Sequence, residues 1–279
     1  MNITFIGGGN MADALISGLL RKGQEFRPEN LRVVEINPDA RRKFETKHPG
    51  VKCFDEARKA VRDGDVIVFA VKPQDVRNAA TELRAKGWTS GLGSNAHLVV
   101  SIAAGVTLTA LSRWLNSRCL VRAMPNTPAL IGEGITGLYK TPDVSEQQMT
   151  QAETILAAVG KTVRINSEED MDTVTAVSGS GPAYVFWFIE QLAKVGEELG
   201  LSAETANQLA VETVLGAATL AAQSDESLAV LRQRVTSKGG TTEAALKVFN
   251  EEKLAARCRR AIKAAKERGA ELGQELGKD

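Results

Sequence analysis

Three glycine-rich segments of this sequence have residue types and spacings that can bind anions through backbone N–H groups. The first, at residues 7–12, fits the pattern G-x-G-x-x-G/A with Gly7, Gly9 and Ala12. In such a turn Gly7 permits the tight bend, Gly9 lets the backbone approach a pyrophosphate, and Ala12 allows a helix to pack closely on a strand. The start of that helix offers unpaired N–H groups and a positive dipole end to the phosphates. The predicted dinucleotide contacts are Gly7, Gly9, Asn10, Met11 and Ala12.

An acidic residue follows this fingerprint at the distance expected for a ribose ligand. Glu35 ends the second apolar run, and an acid about 20 residues past the fingerprint can accept hydrogen bonds from the ribose hydroxyls. It would also repel a 2′-phosphate, which favours NADH. Asn37, Arg41 and Arg42 follow closely and could hold that phosphate, or the arginines could be solvated helix charges. The sequence predicts NADPH or NADH and leaves the choice open.

The second segment, TSKGGTT at residues 236–242, precedes a predicted helix that begins near Glu243. Two glycines let backbone N–H groups converge and the helix start adds its dipole, which together suit a carboxylate. Neighbouring hydroxyls can donate or accept hydrogen bonds. On composition alone, a helix cap in a loop rich in serine and threonine is the alternative. The predicted substrate contacts are Ser237, Gly239, Gly240, Thr241 and Thr242.

The third segment, SGSGP at residues 178–182, also leads into a predicted helix. Its glycines permit close backbone approach to a cofactor or substrate, and a plain turn is the alternative.

Several kinds of catalysis lack their residues here. The only histidines, His48 and His97, lie outside all three segments, so no Ser-His-Asp arrangement is predicted. The three cysteines are widely spaced and form no CxxC pair, so we expect buried small hydrophobes and neither a disulfide nor a metal site. They are Cys53, Cys119 and Cys258.

The elements that must position these segments change in character along the chain. Up to Asn166, short apolar runs alternate with amphipathic segments, which is typical of βα units around a parallel sheet. Beyond it, five segments have helical spacing and no convincing strand remains. We predict an α/β protein with an N-terminal Rossmann-type parallel-sheet domain at residues 1–166 and a C-terminal all-α dimerisation domain at residues 167–279.

The detailed prediction places ligand-facing loops at one edge of the sheet. Residues 70–73, 103–105 and 124–126 follow directly from apolar runs, so they would line the carboxyl edge of the sheet, where ligands of such sheets bind.

The bounds of the elements are predicted as follows. Predicted strands are 2–6, 31–36, 65–71, 97–103 and 119–124. Predicted helices are 11–22, one after Pro38, one from Ser145 with a capping box to Gln148, 183–199, 203–223, 226–235, 243–250 and 253–272.

Long, alanine-rich helices in the second domain need a partner for their apolar faces. Packing within one chain is the simpler arrangement, but the small domain favours a core shared between two chains, that is, a homodimer. The net charge of the 279-residue chain is +1, so no nucleic acid or anionic membrane is an expected partner. The start of the chain lacks a signal-peptide pattern and no long apolar run appears, so we expect a cytoplasmic protein without a membrane span.

Six segments, in the same order, resemble those of pyrroline-5-carboxylate reductase along nearly the whole chain. They are GGGNMA at 7–12, AVKPQ at 70–74, SIAAG at 101–105, RAMPNTP at 122–128, SGSGPAY at 178–184 and TSKGGTT at 236–242. The last three together are the most specific. The resemblance implies a Rossmann domain, a helical dimerisation domain, and reduction of 1-pyrroline-5-carboxylate to L-proline. It also implies a substrate near the dimer interface, and larger assemblies of dimers in many members.

The resemblance further implies roles for single residues. Val71, Lys72, Pro73 and Asn126 are cofactor contacts, and Asn126 can both donate to and accept from the nicotinamide carboxamide. Thr242 is implied as the catalytic hydroxyl, nearest the ring nitrogen. Two positions depart from the family: Lys238, where many members have proline, and Glu35, where many have a residue friendlier to a 2′-phosphate.

Imine reduction tolerates the absence of an acid in the candidate loops. A cyclic imine can be protonated before or during binding and accepts hydride at carbon, so the enzyme chiefly holds donor and acceptor in line. Carbonyl reduction would demand a proton donor. One alternative is a hydroxyacid dehydrogenase, but its catalytic lysine is missing from residues 183–191, and Lys194 is the first. Another is a non-catalytic dinucleotide sensor, in which bound cofactor would never be consumed.

Overall fold

The computed structural model of the chain describes residues 1–62, 65–85, 88 and 97–278. These residues form two compact units: Met1–Ser180 together with Ala265–Asp279, and Gly181–Ala264. The domain boundary that the sequence predicts near residue 166 stays a prediction.

The first unit is built on a mostly parallel sheet. Its described strands have the order β3-β2-β1-β4-β5-β6-β7-β8, and each neighbouring pair is parallel except β6 with β7. The order 3-2-1-4-5-6 is that of a dinucleotide-binding sheet, whose crevice lies at the switch between β1 and β4. The strands are β1 Ile3–Ile6, β2 Leu31–Val34, β3 Lys52–Phe54, β4 Val66–Phe69, β5 Val99–Ser101, β6 Leu120–Met124, β7 Gly134–Lys140 and β8 Gly160–Arg164.

Helices cover both faces of this sheet. One cluster packs Leu15 and Ile155 with Phe5 of β1, and the other packs Leu83 and Leu111 against the opposite face. Burial of each such large side chain contributes about 1.5–3 kcal/mol relative to exposure, which is why β4 can be apolar at every position. The helices are α1 Asn10–Arg21, α2 Pro38–Lys47, α3 Ala57–Ala60, α4 Val76–Ala85, α5 Leu108–Leu115, α6 Glu146–Leu156 and α7 Asp170–Val174.

The second unit is entirely helical. Its helices are α8 Gly181–Glu198, α9 Ala203–Gln223, α10 Leu228–Arg234, α11 Thr241–Glu251 and the first part of α12 Leu254–Leu276. The apolar residues buried in this unit are Ala206 and Ala210, whereas Phe186 is 64% exposed and Trp187 is 56% exposed. A unit with so little core in one chain needs a second surface to cover its apolar side chains.

The last turns of α12 belong to the first unit. An added Cβ on Gly105 would lie 3.3 Å from Leu276, and Arg113 donates to the Gly277 carbonyl at 2.8 Å. The end of the chain therefore packs beside the SIAAG segment.

The fold class is confirmed, and three strands were missed. All five predicted strands form, with every end within two residues of the predicted one, and α9 has the predicted bounds. The capping box of Ser145 and Gln148 is also present. The missed strands β3, β7 and β8 are short, glycine-containing or polar, and β8 is largely exposed. None of the three has the alternation of apolar and polar residues that predicts a strand from sequence.

No helix among the described residues is both long and apolar enough to cross a membrane.

Candidate active site

The glycine-rich turn between β1 and α1 is held against the loop after β4. Gly7 has φ of 105° and donates its N–H to the Val34 carbonyl at 2.8 Å. A Cβ on Gly7 would lie 2.8 Å from Val71 and 2.9 Å from the Ala70 backbone, so neither the conformation nor the space admits a side chain. The turn thus brings the GGGNMA and AVKPQ segments together.

Gly9 leaves the space that a phosphate needs. It caps α1 in extended conformation, φ −75° and ψ −178°, and no side chain caps the helix. An added Cβ would meet nothing within 4 Å. Unpaired N–H groups of a first helical turn beside open space form an anion site. Of the predicted contacts around it, Asn10 is exposed, Met11 is half-buried and Ala12 is fully buried. The residues present therefore fit a dinucleotide pyrophosphate.

Glu35 lies beside the same turn, at the end of β2. Its Oε2 accepts from the Gly8 N–H at 3.2 Å and its Oε1 accepts from the Asn37 N–H at 2.9 Å. The two hydrogen bonds fix the carboxylate at the end of β2, where this fold has the acidic residue that accepts from a ribose hydroxyl.

The groups that might have held a 2′-phosphate have other partners. The Asn37 side chain caps α2 by accepting from two backbone N–H groups. Arg41 donates to the Glu35 carbonyl at 2.6 Å, and Arg42 pairs with Asp39.

The first turn of α1 also carries a carboxylate with two cationic or polar neighbours. Asp13 contacts Lys47 at 2.5 Å and the buried His48 ring at 2.6 Å. Burial raises the pKa of Asp13, but the hydrogen bonds from Lys47 and His48 outweigh it and hold the pKa below its usual value. His48 thus anchors α2 to α1. The other histidine, His97, is buried against the Asp65 carbonyl at 3.1 Å. Both occupy packing positions, outside the glycine-rich turns.

The loop after β6 is tied to the SGSGP segment. Asn126 donates from its amide nitrogen to the Ser178 carbonyl at 3.2 Å, and its amide oxygen accepts from the Ile135 N–H at 3.0 Å. A Cβ on Gly179 would lie 2.6 Å from the Met124 methyl group. Residues 175–179 form a single π-helical turn, a feature frequent at functional sites. The Asn126 amide keeps one N–H and one lone pair for a ligand.

An ionic cluster under this loop was missed by the sequence analysis. Arg122 is 5% exposed and contacts both Glu168 and Asp172 at 3.3 Å. Glu168 also accepts from the Leu108 N–H at 2.6 Å, at the start of α5. The signal was a charged residue inside the apolar run of β6, which requires buried partners. These partners come from a segment about 50 residues away, so their identity was not visible locally.

The AVKPQ loop after β4 presents both apolar and charged side chains. Val71 and Pro73 are half-buried and Lys72 is exposed. Pro73 begins a 3₁₀ turn that leads into α4. This loop and Asn126 both follow directly from strands whose carboxyl ends lie at one edge of the sheet, as the sequence predicted.

The TSKGGTT loop of the second unit forms the start of α11. Gly239 has φ of 71°, and its N–H donates to Glu243 at 2.6 Å. The Gly240 N–H donates to the Ser237 carbonyl at 3.0 Å. The two glycine N–H groups are therefore bonded within the loop, and contacts of Gly239 and Gly240 with a substrate stay a prediction. The donors that remain are those of the first turn of α11, which no side chain caps. Thr242 is half-buried there, and Ser237, Gly239 and Thr241 are exposed.

Two cysteine thiols and one lysine that other classes of reaction would use have raised pKa values. Burial raises the pKa of the Cys53 thiol to about 11, and burial also raises that of Cys119, so neither is a ready nucleophile. Cys258 is exposed and Cys53 is half-buried, which corrects the expectation that all three cysteines are buried. Lys194, the lysine of the dehydrogenase alternative, pairs with Glu190 at 2.7 Å, which raises its pKa. Among the described residues no group of His, Cys, Asp and Glu could hold a metal ion.

Comparisons with known proteins agree with this arrangement in both halves. A family model for pyrroline-5-carboxylate reductase dimerisation matches residues 168–272, and one for an NADP oxidoreductase, coenzyme F420-dependent, matches residues 2–105. A pyrroline-5-carboxylate reductase of Pseudomonas aeruginosa is 42% identical over 99% of this chain and 98% of its own length.

Solved structures extend the likeness to three dimensions. A pyrroline-5-carboxylate reductase from Coxiella burnetii has 41% identity and a TM-score of 0.89, with 97% of this chain and 98% of that chain covered. One from Plasmodium falciparum, solved with NADP bound, has 28% identity and a TM-score of 0.82 over 98% of each chain. Together, the sheet topology, the glycine-rich turn after β1 and the matches to known proteins identify a nicotinamide-dinucleotide oxidoreductase with a helical dimerisation domain. Within that class, the chain belongs to the pyrroline-5-carboxylate reductase family.

Proposed function

We propose that this chain reduces 1-pyrroline-5-carboxylate to L-proline, the last step of proline biosynthesis, with hydride from NADH or NADPH. The observation that carries the proposal is the full-length likeness to pyrroline-5-carboxylate reductases, which includes both units. The open anion site at Gly9 supports the cofactor half of it.

The cofactor contacts proposed from the sequence fall into three groups, which would bind the pyrophosphate, the ribose and the nicotinamide. Gly7, Gly9, Asn10, Met11 and Ala12 would hold the pyrophosphate, and Glu35 would accept from the ribose hydroxyls. Val71, Lys72, Pro73 and Asn126 would contact the nicotinamide end. The dihydronicotinamide ring, when bound, supplies a hydride.

The substrate contacts are proposed in the TSKGGTT loop. Unpaired N–H groups in the first turn of α11, together with the hydroxyls of Ser237 and Thr241, suit the substrate carboxylate. The imine nitrogen takes up a proton before or during binding, and the neighbouring carbon then accepts hydride while the C=N electron pair moves to nitrogen. Thr242 would hold the nitrogen by a hydrogen bond. Because the protonated imine is already electrophilic, positioning is the main task of these residues.

The test is the loss of absorbance of the reduced cofactor on mixing purified protein, NADH or NADPH, and 1-pyrroline-5-carboxylate. We expect oxidation of the cofactor with proline as the product. Demonstrable cofactor binding without oxidation of either cofactor would refute the proposal and favour the sensor alternative.

Thr242→Val keeps the shape of the side chain and removes its hydroxyl. We expect kcat to fall about tenfold, the effect of one hydrogen bond of about 1.4 kcal/mol, because the imine nitrogen loses its partner. The Kd for the dinucleotide should not change. Thr242→Ser retains the hydroxyl and should restore most of the rate. A wild-type kcat in the valine variant would remove Thr242 from the mechanism.

The dimerisation match supports a homodimer, and we further propose larger assemblies of dimers. Apolar side chains exposed on α8 to α11 support a shared helical core, and the near-neutral net charge supports a small-molecule ligand over nucleic acid. Light scattering after size exclusion should give at least twice the 29.9 kDa chain mass. A one-chain mass would contradict the dimer, and an exact two-chain mass would exclude the larger assembly. The domain division near residue 166 and the cytoplasmic location stay predictions.

A further inference from the structure

We propose that Glu35 makes this chain bind NADH more tightly than NADPH. The inference rests on the proposed function and specifies its cofactor. It concerns one carboxylate at the end of β2, next to the turn that would hold the pyrophosphate. In this fold such a carboxylate accepts from the 2′-hydroxyl of the ribose, which is the site of the extra phosphate in NADPH.

The Glu35 carboxylate is held in place by two backbone donors on different loops. Its Oε2 accepts from Gly8 at 3.2 Å and its Oε1 accepts from Asn37 at 2.9 Å. The side chain also lies over Gly8, because a Cβ there would be 3.3 Å from the Glu35 Cβ. To admit a 2′-phosphate, the carboxylate would have to leave both donors or stay beside a group of like charge. Either event weakens binding of NADPH and leaves NADH unaffected.

The polar side chains that follow β2 already have partners in the protein. Arg41 donates from Nη1 to the Glu35 carbonyl at 2.6 Å, which fixes one edge of its guanidinium at the end of β2. Arg42 pairs with Asp39 on the exposed surface of α2. The Asn37 side chain caps α2 and accepts from Asp39 and Ala40.

Equilibrium binding tests the inference without any imine substrate. NADH and NADPH are titrated by fluorescence, and 5′-AMP and 2′,5′-ADP by calorimetry, at low ionic strength because screening weakens repulsion. We expect the wild-type chain to bind NADH at least about tenfold more tightly than NADPH, the effect of a like-charge contact near a surface. Glu35→Gln should reduce this ratio about tenfold by improving NADPH binding. The nucleotide pair should show the same change.

Glu29→Gln is the matched control. It removes the same charge from the turn before β2, at the opposite end of the strand, where Glu29 is exposed beside Arg27. The control should keep the wild-type binding ratio. If wild type binds NADPH as tightly as NADH, or if Glu35→Gln behaves like the control, the inference is overturned. NADH preference without imine reduction would refute the proposed reaction alone, whereas turnover with NADPH preference would refute this inference alone.

Discussion

Gly160→Ala should lower the free energy of unfolding by at least about 3 kcal/mol, the range of severe core overpacking. Gly160 begins β8 with φ of 144° and pairs with Gly134 of β7. A Cβ at this position would lie 1.9 Å from the Gly134 carbonyl oxygen and 2.5 Å from its carbonyl carbon. These are backbone atoms of a paired strand, so they cannot rotate away as a flexible side chain could. The two strands would have to separate.

Urea denaturation followed by tryptophan fluorescence measures the effect, and Gly132→Ala is its control. Gly132 also has a positive φ, 83°, but a Cβ there would meet only the end of Arg21 at 3.8 Å. It should therefore cost only about 1 kcal/mol for the left-handed backbone. Equal losses in the two variants would mean that β7 and β8 do not pair as described.

Gly9→Val should abolish most cofactor binding and leave the fold intact. The extended backbone at Gly9 accepts any residue, and the space around its Cβ position is empty in the protein. The valine methyl groups would occupy the space that we assign to the pyrophosphate. Losing two charge-assisted hydrogen bonds of about 1.5 kcal/mol each would raise the Kd for NADH and NADPH about 100-fold.

Gly7→Ala provides the contrast, because its Cβ would collide with the Ala70 backbone at a positive φ. That variant should lose stability as well as binding, whereas Gly9→Val should change the melting temperature little. Fluorescence titration with NADH and a thermal melt separate the two effects. Unchanged NADH affinity in Gly9→Val would place the pyrophosphate elsewhere.

Local patterns in the sequence determined much of this protein. The fingerprint at residues 7–12, the capping box at Ser145 and the bounds of α9 each depend on residues within a few positions of one another. Turn geometry, helix capping and helical periodicity act over that range, so they are visible without a fold. The family likeness added residue roles that spacing alone left open.

The tertiary structure decided what depends on distant partners. β7 and β8 exist because neighbouring strands pair with them, although their own residues are polar or rich in glycine. Arg122 can be buried because Glu168 and Asp172 reach it from about 50 residues away. Long-range contacts of this kind leave no periodic trace in the chain. Glu35 combines the two cases. Its residue type and its bond to the Asn37 N–H, two residues away, are local, but its bond to the Gly8 N–H exists only because β1 and β2 lie side by side.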